Sequence, residues 1–326
     1  MKKKISNLIS NQSEGLYCQS ADIWIDPIKP VKRAIITHSH FDHIAIGCRE
    51  YICSVETGTI LKHRIGDKIN IKTYDYNESF KLDGVNISLH PSGHILGSSQ
   101  VMFESGGEVW LITGDFKRQE DKTCLEYKTI ETDVLICEST FSLPIFRWES
   151  TGKIINQISN WVYESQESTC ILFCYSLGKA QRLLSEINQI KSNNIYVHKS
   201  INKINKIYRK LGVDILETNI LDKDSNINNS ENNLILLPPS LNKSIFLRKF
   251  KNFETGFASG WMSIRALRKR SGYDKGFAIS DHADWDGLIK TIKDSKASRI
   301  LLNHGDGSNL AKYLKTVEHI NIESLS

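Results

Sequence analysis

The sequence predicts an α/β protein of two compact units, one inserted into the other. Three observations carry that expectation. Apolar runs of strand length recur along the chain and stop on His, Asp or Glu. Near residue 146 the texture changes, from strands joined by tight turns to helix-period segments alternating with short strands. Almost 190 residues separate Asp115 from His304, two strand-end residues of metal-ligand type, far more than a closing strand and helix need. The expected units are 1–145 together with 256–326, and an inserted 146–255.

Taken in order, Ala34-Ile35-Ile36 reads as a buried strand and His38-Ser39-His40-Phe41-Asp42-His43 as the loop leaving its end. Imidazole and carboxylate are the usual protein ligands of zinc and similar divalent ions. His38 and His40 are two residues apart, so in extended backbone they project to the same side, and Asp42 and His43 can turn toward a second metal. Leu82-Asp83-Gly84-Val85 is a hairpin signal and Ser105-Gly106-Gly107-Glu108 a second turn. The strand Val85-Asn86-Ile87-Ser88-Leu89 leads into His90-Pro91-Ser92-Gly93-His94. Val109-Trp110-Leu111-Ile112 stops at Thr113-Gly114-Asp115, and a carboxylate there has two oxygens with which to bridge two metals. Val134-Leu135-Ile136-Cys137 ends on Glu138, and Ile300-Leu301-Leu302-Asn303 on His304. Phe277-Ala278-Ile279 runs into Ser280-Asp281-His282-Ala283-Asp284. Singly, each has a bland alternative: a solvated His-rich loop, an ordinary strand-end acid at Glu138, a packed structural histidine at His282. Together, their order along the chain argues against surface decoration.

In the expected insertion, Ile154, Ile155, Ile158, Trp161 and Val162 have helical spacing, and Cys170-Ile171-Leu172-Phe173 and Leu234-Ile235-Leu236-Leu237 read as strands of a partly parallel sheet. Phe173 to Gln181 reads as a strand passing through a Gly turn into a helix. A helix N-terminus offers free N–H groups to phosphate, which makes Ser176, Gly178 and Lys179 candidate phosphate contacts; the alternative is a plain βα turn. The stretch 186–233 is biased toward Asn, Ile and Lys, which composition explains better than function.

With 326 residues, 40% hydrophobic and 24% charged, the chain has the make-up of a soluble globular protein. No apolar stretch approaches the roughly 18 residues of a membrane span. Met1-Lys2-Lys3-Lys4 has the charge of a signal-peptide start, but Ser6-Asn7 and Ser10-Asn11-Gln12-Ser13-Glu14 interrupt any apolar core. Seven cysteines without a C-x-x-C pair point to reduced thiols. A cytoplasmic protein is expected. Net charge is +5, yet 243–275 alone holds nine Lys/Arg against Glu254 and Asp274, a local +7. Arg265, Arg268 and Lys269 would share one helical face there. Such a run is either a solvated face or a phosphate-tracking surface; its position just before His282 favours the second.

The strand-end ligands resemble those of the metallo-β-lactamase fold superfamily, which implies an αββα sandwich. By that resemblance His38, His40 and His94 hold a first metal, Asp42, His43 and His304 a second, and Asp115 bridges. The motifs around Glu138 and His282, flanking the insertion, look like those of the β-CASP nucleases, the nucleic-acid branch with an inserted β-CASP α/β domain. The resemblance implies that Glu138 orients His282, which protonates the leaving oxygen, with Asp42 also catalytic. Gly15-Leu16-Tyr17-Cys18, Ile25-Asp26-Pro27, Ser259-Gly260-Trp261-Met262 and Ser280-Asp281-His282-Ala283-Asp284-Trp285 resemble the bacterial ligase-associated DNA exonucleases, a group also described as messenger-RNA 3′-end-processing-factor-like. A two-metal phosphodiesterase on DNA, an exonuclease in end processing or repair, is the activity this likeness implies. Zinc suits the ligands best and manganese is admitted. A DNA ligase and a helicase would be functional neighbours. With about 22 residues after His304, a minimal nuclease core is expected. An RNA-processing nuclease on the same scaffold is the first rival. A thioester or lactam hydrolase is a second, opposed by the insertion and the basic stretch, and a non-catalytic nucleic-acid-binding scaffold a third.

Overall fold

The computed structural model describes residues 7–165, 168–187, 194–221 and 233–323; the lysine-rich start and parts of the Asn-, Ile- and Lys-rich stretch lie outside the described residues. The chain divides into two compact units, Met1–Glu120 with Cys124–Pro144 and His282–Ser326, and Asp121–Thr123 with Ile145–Asp281.

The first unit holds two sheets. One orders Ile9–Gln12, Gly15–Cys18, Ile23–Ile25, Arg33–Ile35, Glu50–Ser54 and Ile71–Tyr74, antiparallel in its first two pairings and parallel in the rest. The other orders Ile322–Glu323, Arg299–Asn303, Val134–Glu138, Glu108–Ile112, Ser99–Ser105, Val85–Pro91 and Ser79–Leu82. Its hairpins turn on Asp83-Gly84 (φ 47° and 91°) and Gly106-Gly107 (φ 60° and 83°). Two successive positive φ values match the right-handed twist of the flanking strands, so both turn signals in the sequence are met.

Alternation along the strands sorts the side chains into layers. Ile23, Ile25, Ile35 and Ile52 of the first sheet pack with Ile87, Phe103, Trp110 and Ile136 of the second. On the far side of the second sheet, Leu111, Leu135 and Ile300 meet Leu288 and Ile292 of helix Trp285–Asp294 and Leu310 and Leu314 of helix Ser308–Thr316. On the far side of the first, Ala34, Tyr51 and Cys53 meet Leu61 of helix Val55–Ile65. The layers are therefore helix, sheet, sheet, helix. A strand covered on both faces must be apolar throughout, and Val134–Glu138 is buried at every position. That leaves Glu138 as a buried carboxylate in need of partners.

The second unit is built on one sheet, ordered Asn219–Leu221, Asn194–His198, Asn233–Leu237, Thr169–Phe173, Phe253–Ala258 and Lys275–Phe277. Every pairing is parallel, where the sequence suggested a partly parallel sheet. Ile171, Phe173, Ile235 and Leu237 pack with Leu247 and Phe250. The return to the first unit comes at residue 282, not at the expected 256. The reason is that Phe253–Ala258 pairs with Thr169–Phe173, and Lys275–Phe277 with Phe253–Ala258, which ties the intervening residues to the second unit. All seven cysteines are free thiols. Among the described residues no helix is long and apolar enough to cross a membrane.

Candidate metal centre

Five strand ends of the first unit, with the segment before helix Trp285–Asp294 that carries His282, deliver side chains to one place. Three overlapping groups of potential ligands form there: His38, His40, His94 and Asp115; His43, Asp115 and His304; and Asp115, Glu138 and His282. Asp115 is common to all three.

Asp26, at the end of strand Ile23–Ile25, organises the first loop. Its Oδ1 accepts the Thr37 backbone N–H at 2.7 Å, and its Oδ2 accepts the Thr37 hydroxyl at 2.6 Å and the His43 Nδ1–H at 2.8 Å. With its one proton given to Asp26, the Thr37 hydroxyl can only accept from His38 Nδ1, 3.1 Å away. One carboxylate thus fixes the ring orientation of both histidines and turns the Nε2 atoms of His38 and His43 inward.

His38 Nε2 lies 3.0 Å from His40 Nδ1, which lies 3.2 Å from His94 Nε2. Asp115 Oδ2 is 3.6 Å from His38 Nε2 and 3.9 Å from His94 Nε2. Ligand atoms on one tetrahedral zinc, with bonds of about 2.0–2.1 Å, stand about 3.3 Å apart. Three ring nitrogens this close make a poor hydrogen-bonding set and a good ligand set. In the second group His43 Nε2 is 3.3 Å from Asp115 Oδ2, and the His304 ring stacks on His43 with centroids 4.6 Å apart. Asp115 Oδ1 is buried without a hydrogen-bond partner among the described residues, which is costly unless a cation satisfies it. The donor set therefore fits divalent metal.

Burial and neighbouring charges act differently on each group. Burial, followed by the neighbouring charges of His43, His94 and His40, holds His38 well below the usual imidazole range. At His43 burial works in the same direction, but the carboxylates of Asp115 and Asp26 outweigh it and hold the ring well above that range. Burial would raise Asp115, yet the charges of His43 and His282 dominate and hold it well below the usual carboxylate range. Asp115 is a buried anion facing imidazoles, primed for positive charge.

In the third group Glu138 Oε1 accepts the Phe116 backbone N–H at 2.7 Å, and Glu138 Oε2 lies 2.9 Å from His282 Nδ1. His282 Nε2 then faces Asp115 Oδ2 at 3.9 Å. Gly93 and Gly114 give the backbone its shape at two of these strand ends. At Gly93 (φ 73°) a Cβ would sit 2.3 Å from the Lys117 carbonyl oxygen; at Gly114 (φ 54°) it would sit 2.9 Å from Thr37 Cβ.

The expected residues fare differently. His38, His40, His43, His94, Asp115, Glu138, His282 and His304 come together. Asp42 is in none of the three groups; its carboxylate is 76% exposed and 4.0 Å from His43 Nε2. The expected phosphate site at Ser176, Gly178 and Lys179 is corrected. Lys179 is buried, with its ammonium 3.0 Å from Asp281 Oδ1, the Gly178 N–H is taken by Gln181 Oε1, and the Ser176 hydroxyl meets that of Ser200. The plain βα turn describes this segment. Arg265, Arg268 and Lys269 are exposed on the short helix Arg265–Arg270. Asp26 was missed as a working residue, although a carboxylate ending the strand beside the one that carries His38 is the signal that would have found it.

Fold and site define an α/β protein with a buried His/Asp cluster suited to divalent metal. No family model matches the chain. A probable DNA ligase of Opitutus terrae is 28% identical over 93% of this chain and 30% of its own length. Endoribonuclease YSH1 of Yarrowia lipolytica is 33% identical over 35% of this chain and 14% of its own, and cleavage and polyadenylation specificity factor 73 of Drosophila melanogaster 33% over 39% and 19%. The chain resembles the β-CASP nucleases to which the mRNA 3′-end-processing factors belong. It spans less than a third of each of these relatives. A crystal structure of a protein of unknown function from Enterococcus faecalis V583 shares the fold, with a TM-score of 0.59, 13% identity, and coverage of 90% of this chain and 79% of that one.

Proposed function

We propose that this protein is a metal-dependent phosphodiesterase acting on nucleic acid, with the metallo-β-lactamase αββα sandwich as its first unit and a β-CASP domain as its second, and that its substrate is DNA, degraded from an end. The observation that carries the reading is the convergence of six imidazoles and two carboxylates, from separate segments of the chain, around the buried Asp115. His38, His40 and His94 with Asp115 would hold one divalent ion, zinc or manganese. His43 and His304 with Asp115 would hold a second, with Asp42 at its edge. Bound there, such ions lower the pKa of water toward about 7 and offset charge developing on phosphate.

The chain's own residues supply the rest. Asp26 holds the His43 ring and, through Thr37, the His38 ring. Glu138 keeps the proton on His282 Nδ1, so Nε2 is the atom that hands a proton to the departing oxygen. A carboxylate already tied to the Phe116 N–H holds that imidazole at little cost in ordering. Arg265, Arg268 and Lys269 would track the phosphate backbone. The relative named a probable DNA ligase supports a DNA substrate, with a ligase and a helicase as proposed functional neighbours; the relatives named endoribonucleases support RNA as the second reading.

The test is cleavage of matched single-stranded DNA and RNA oligonucleotides labelled at either end, with zinc or manganese and with chelator, beside His40→Ala. Metal-dependent laddering of DNA that His40→Ala abolishes is expected. Preferential RNA cutting would favour the second reading, and no cutting of either would sink the proposal.

A further inference from the structure

We propose that the first unit carries a nucleobase pocket beside the His/Asp cluster, which takes the base of a nucleotide next to the phosphate to be cut; this rests on the phosphodiesterase reading above. A cavity of about 220 Å³ lies between the ends of the two sheets of this unit. Asp26, Glu138 and His304 form part of its wall, so it adjoins the cluster directly. The deep walls are Leu16, Ile112 and Ile136, all buried. Nearer the surface come the carboxamides of Asn11, Gln12 and Asn303.

Size, polarity and charge together select the ligand. Pockets for drug-sized molecules run to about 300–1,000 Å³, so this one has room for a single ring system. A carboxamide sets a donor beside an acceptor, which is what the edge of a base presents. Gln12 Nε2 donates to Ser10 Oγ at 3.3 Å. Asn11 and Asn303 make no side-chain hydrogen bond among the described residues, which leaves their capacity to a ligand. The cavity is lined by two carboxylates, Asp26 and Glu138, and among the described residues by no Lys or Arg. An anion such as phosphate is disfavoured there and a neutral heterocycle is not. Asn303 is the strand partner of Glu138, so a base held by Asn303 sits beside the wall where the cluster begins.

The experiment is fluorescence anisotropy of the full chain, with manganese present, on a phosphorothioate-linked single-stranded octamer that resists cleavage. It is compared with versions made abasic at one of the two end nucleotides at either terminus. Wild type should bind one abasic version about 5–10-fold more weakly, the worth of one or two hydrogen bonds with their contact area. Asn303→Leu, which keeps the volume and removes the amide, should weaken the intact octamer by the same factor and leave binding of that abasic version unchanged. Asn11→Leu, on the exposed hairpin, should act in the same direction and serves should Asn303→Leu not fold. Equal binding of intact and abasic octamers by wild type, or a preference retained in both variants, would overturn the pocket and leave the phosphodiesterase reading standing. Failure of wild type both to bind the octamer and to cut its unmodified counterpart would overturn that reading and the pocket with it.

Discussion

Replacing Asp281 by Asn tests whether the charges expected to serve phosphate are instead structural. Asp281 Oδ1 lies 3.0 Å from Lys179 Nζ and 3.3 Å from Arg182 Nη1, and the three side chains are 8%, 3% and 1% exposed. Arg182 also donates to the Ser280 carbonyl at 2.6 Å and the Thr151 hydroxyl at 2.7 Å, with Asp121 Oδ2 3.6 Å from its Nε. At an effective dielectric of about 20, each 3.0–3.3 Å contact is worth roughly 5 kcal/mol of attraction, most of it offset by the desolvation of three charged groups. Removing the shared anion forfeits both attractions while the desolvation of Lys179 and Arg182 stays. The expected loss is about 3–5 kcal/mol, or about 10–20 °C in the melting of a unit this size. Differential scanning calorimetry of the full chain measures it. Lys179→Met, which leaves the Asp281–Arg182 pair in place, should cost less. A loss under about 1 kcal/mol for Asp281→Asn, with weakened nucleic-acid binding by Lys179→Met, would refute the structural assignment and restore the phosphate one.

Three further outcomes rest on the geometry. Asp26→Asn should weaken metal binding about 10–100-fold by isothermal titration calorimetry, because it frees the rings of His43 and His38 without touching an inward-facing nitrogen. Glu138→Gln should lower the rate of phosphodiester cleavage about 10²–10⁴-fold, with bound metal retained, because His282 loses the anion that orients it. Burial, with the Lys128 charge, pushes His90 down to about 4, so the unfolded chain, with histidine near 6.5, takes up the proton first. The stability this gives is full above about pH 6.5 and is lost as pH falls through about 4. Urea midpoints over that range should fall for wild type and fall less for His90→Gln.

Much of the site was legible because a metal centre needs particular residue types, and strand ends announce themselves as apolar runs broken by a turn. His38, His94, Asp115, Glu138 and His304 each come after such a run. Partners far apart in sequence were not legible. Nothing near Lys179 reveals that Asp281 neutralises it from 102 positions away, and a lysine after a Gly turn looks the same whether it faces phosphate or a buried aspartate. The late return of the chain, at residue 282, escaped for a related reason. Pairing of Phe253–Ala258 with Thr169–Phe173 is a long-range event, and its short runs carry no mark of which sheet they join. Asp26 escaped because one acid at a strand end is common; its value lies in reaching Thr37 and His43 at once.

The central claim is that the His/Asp cluster is a catalytic metal centre. Its most direct test is to strip the protein with chelator, titrate zinc or manganese back, and record bound metal per chain and cleavage of a single-stranded oligonucleotide on the same samples. Activity that rises with the metal bound to wild type, with both binding and cleavage lost in Asp115→Asn, is the predicted result. Cleavage that survives the chelator, or metal uptake that Asp115→Asn leaves intact, would contradict the account.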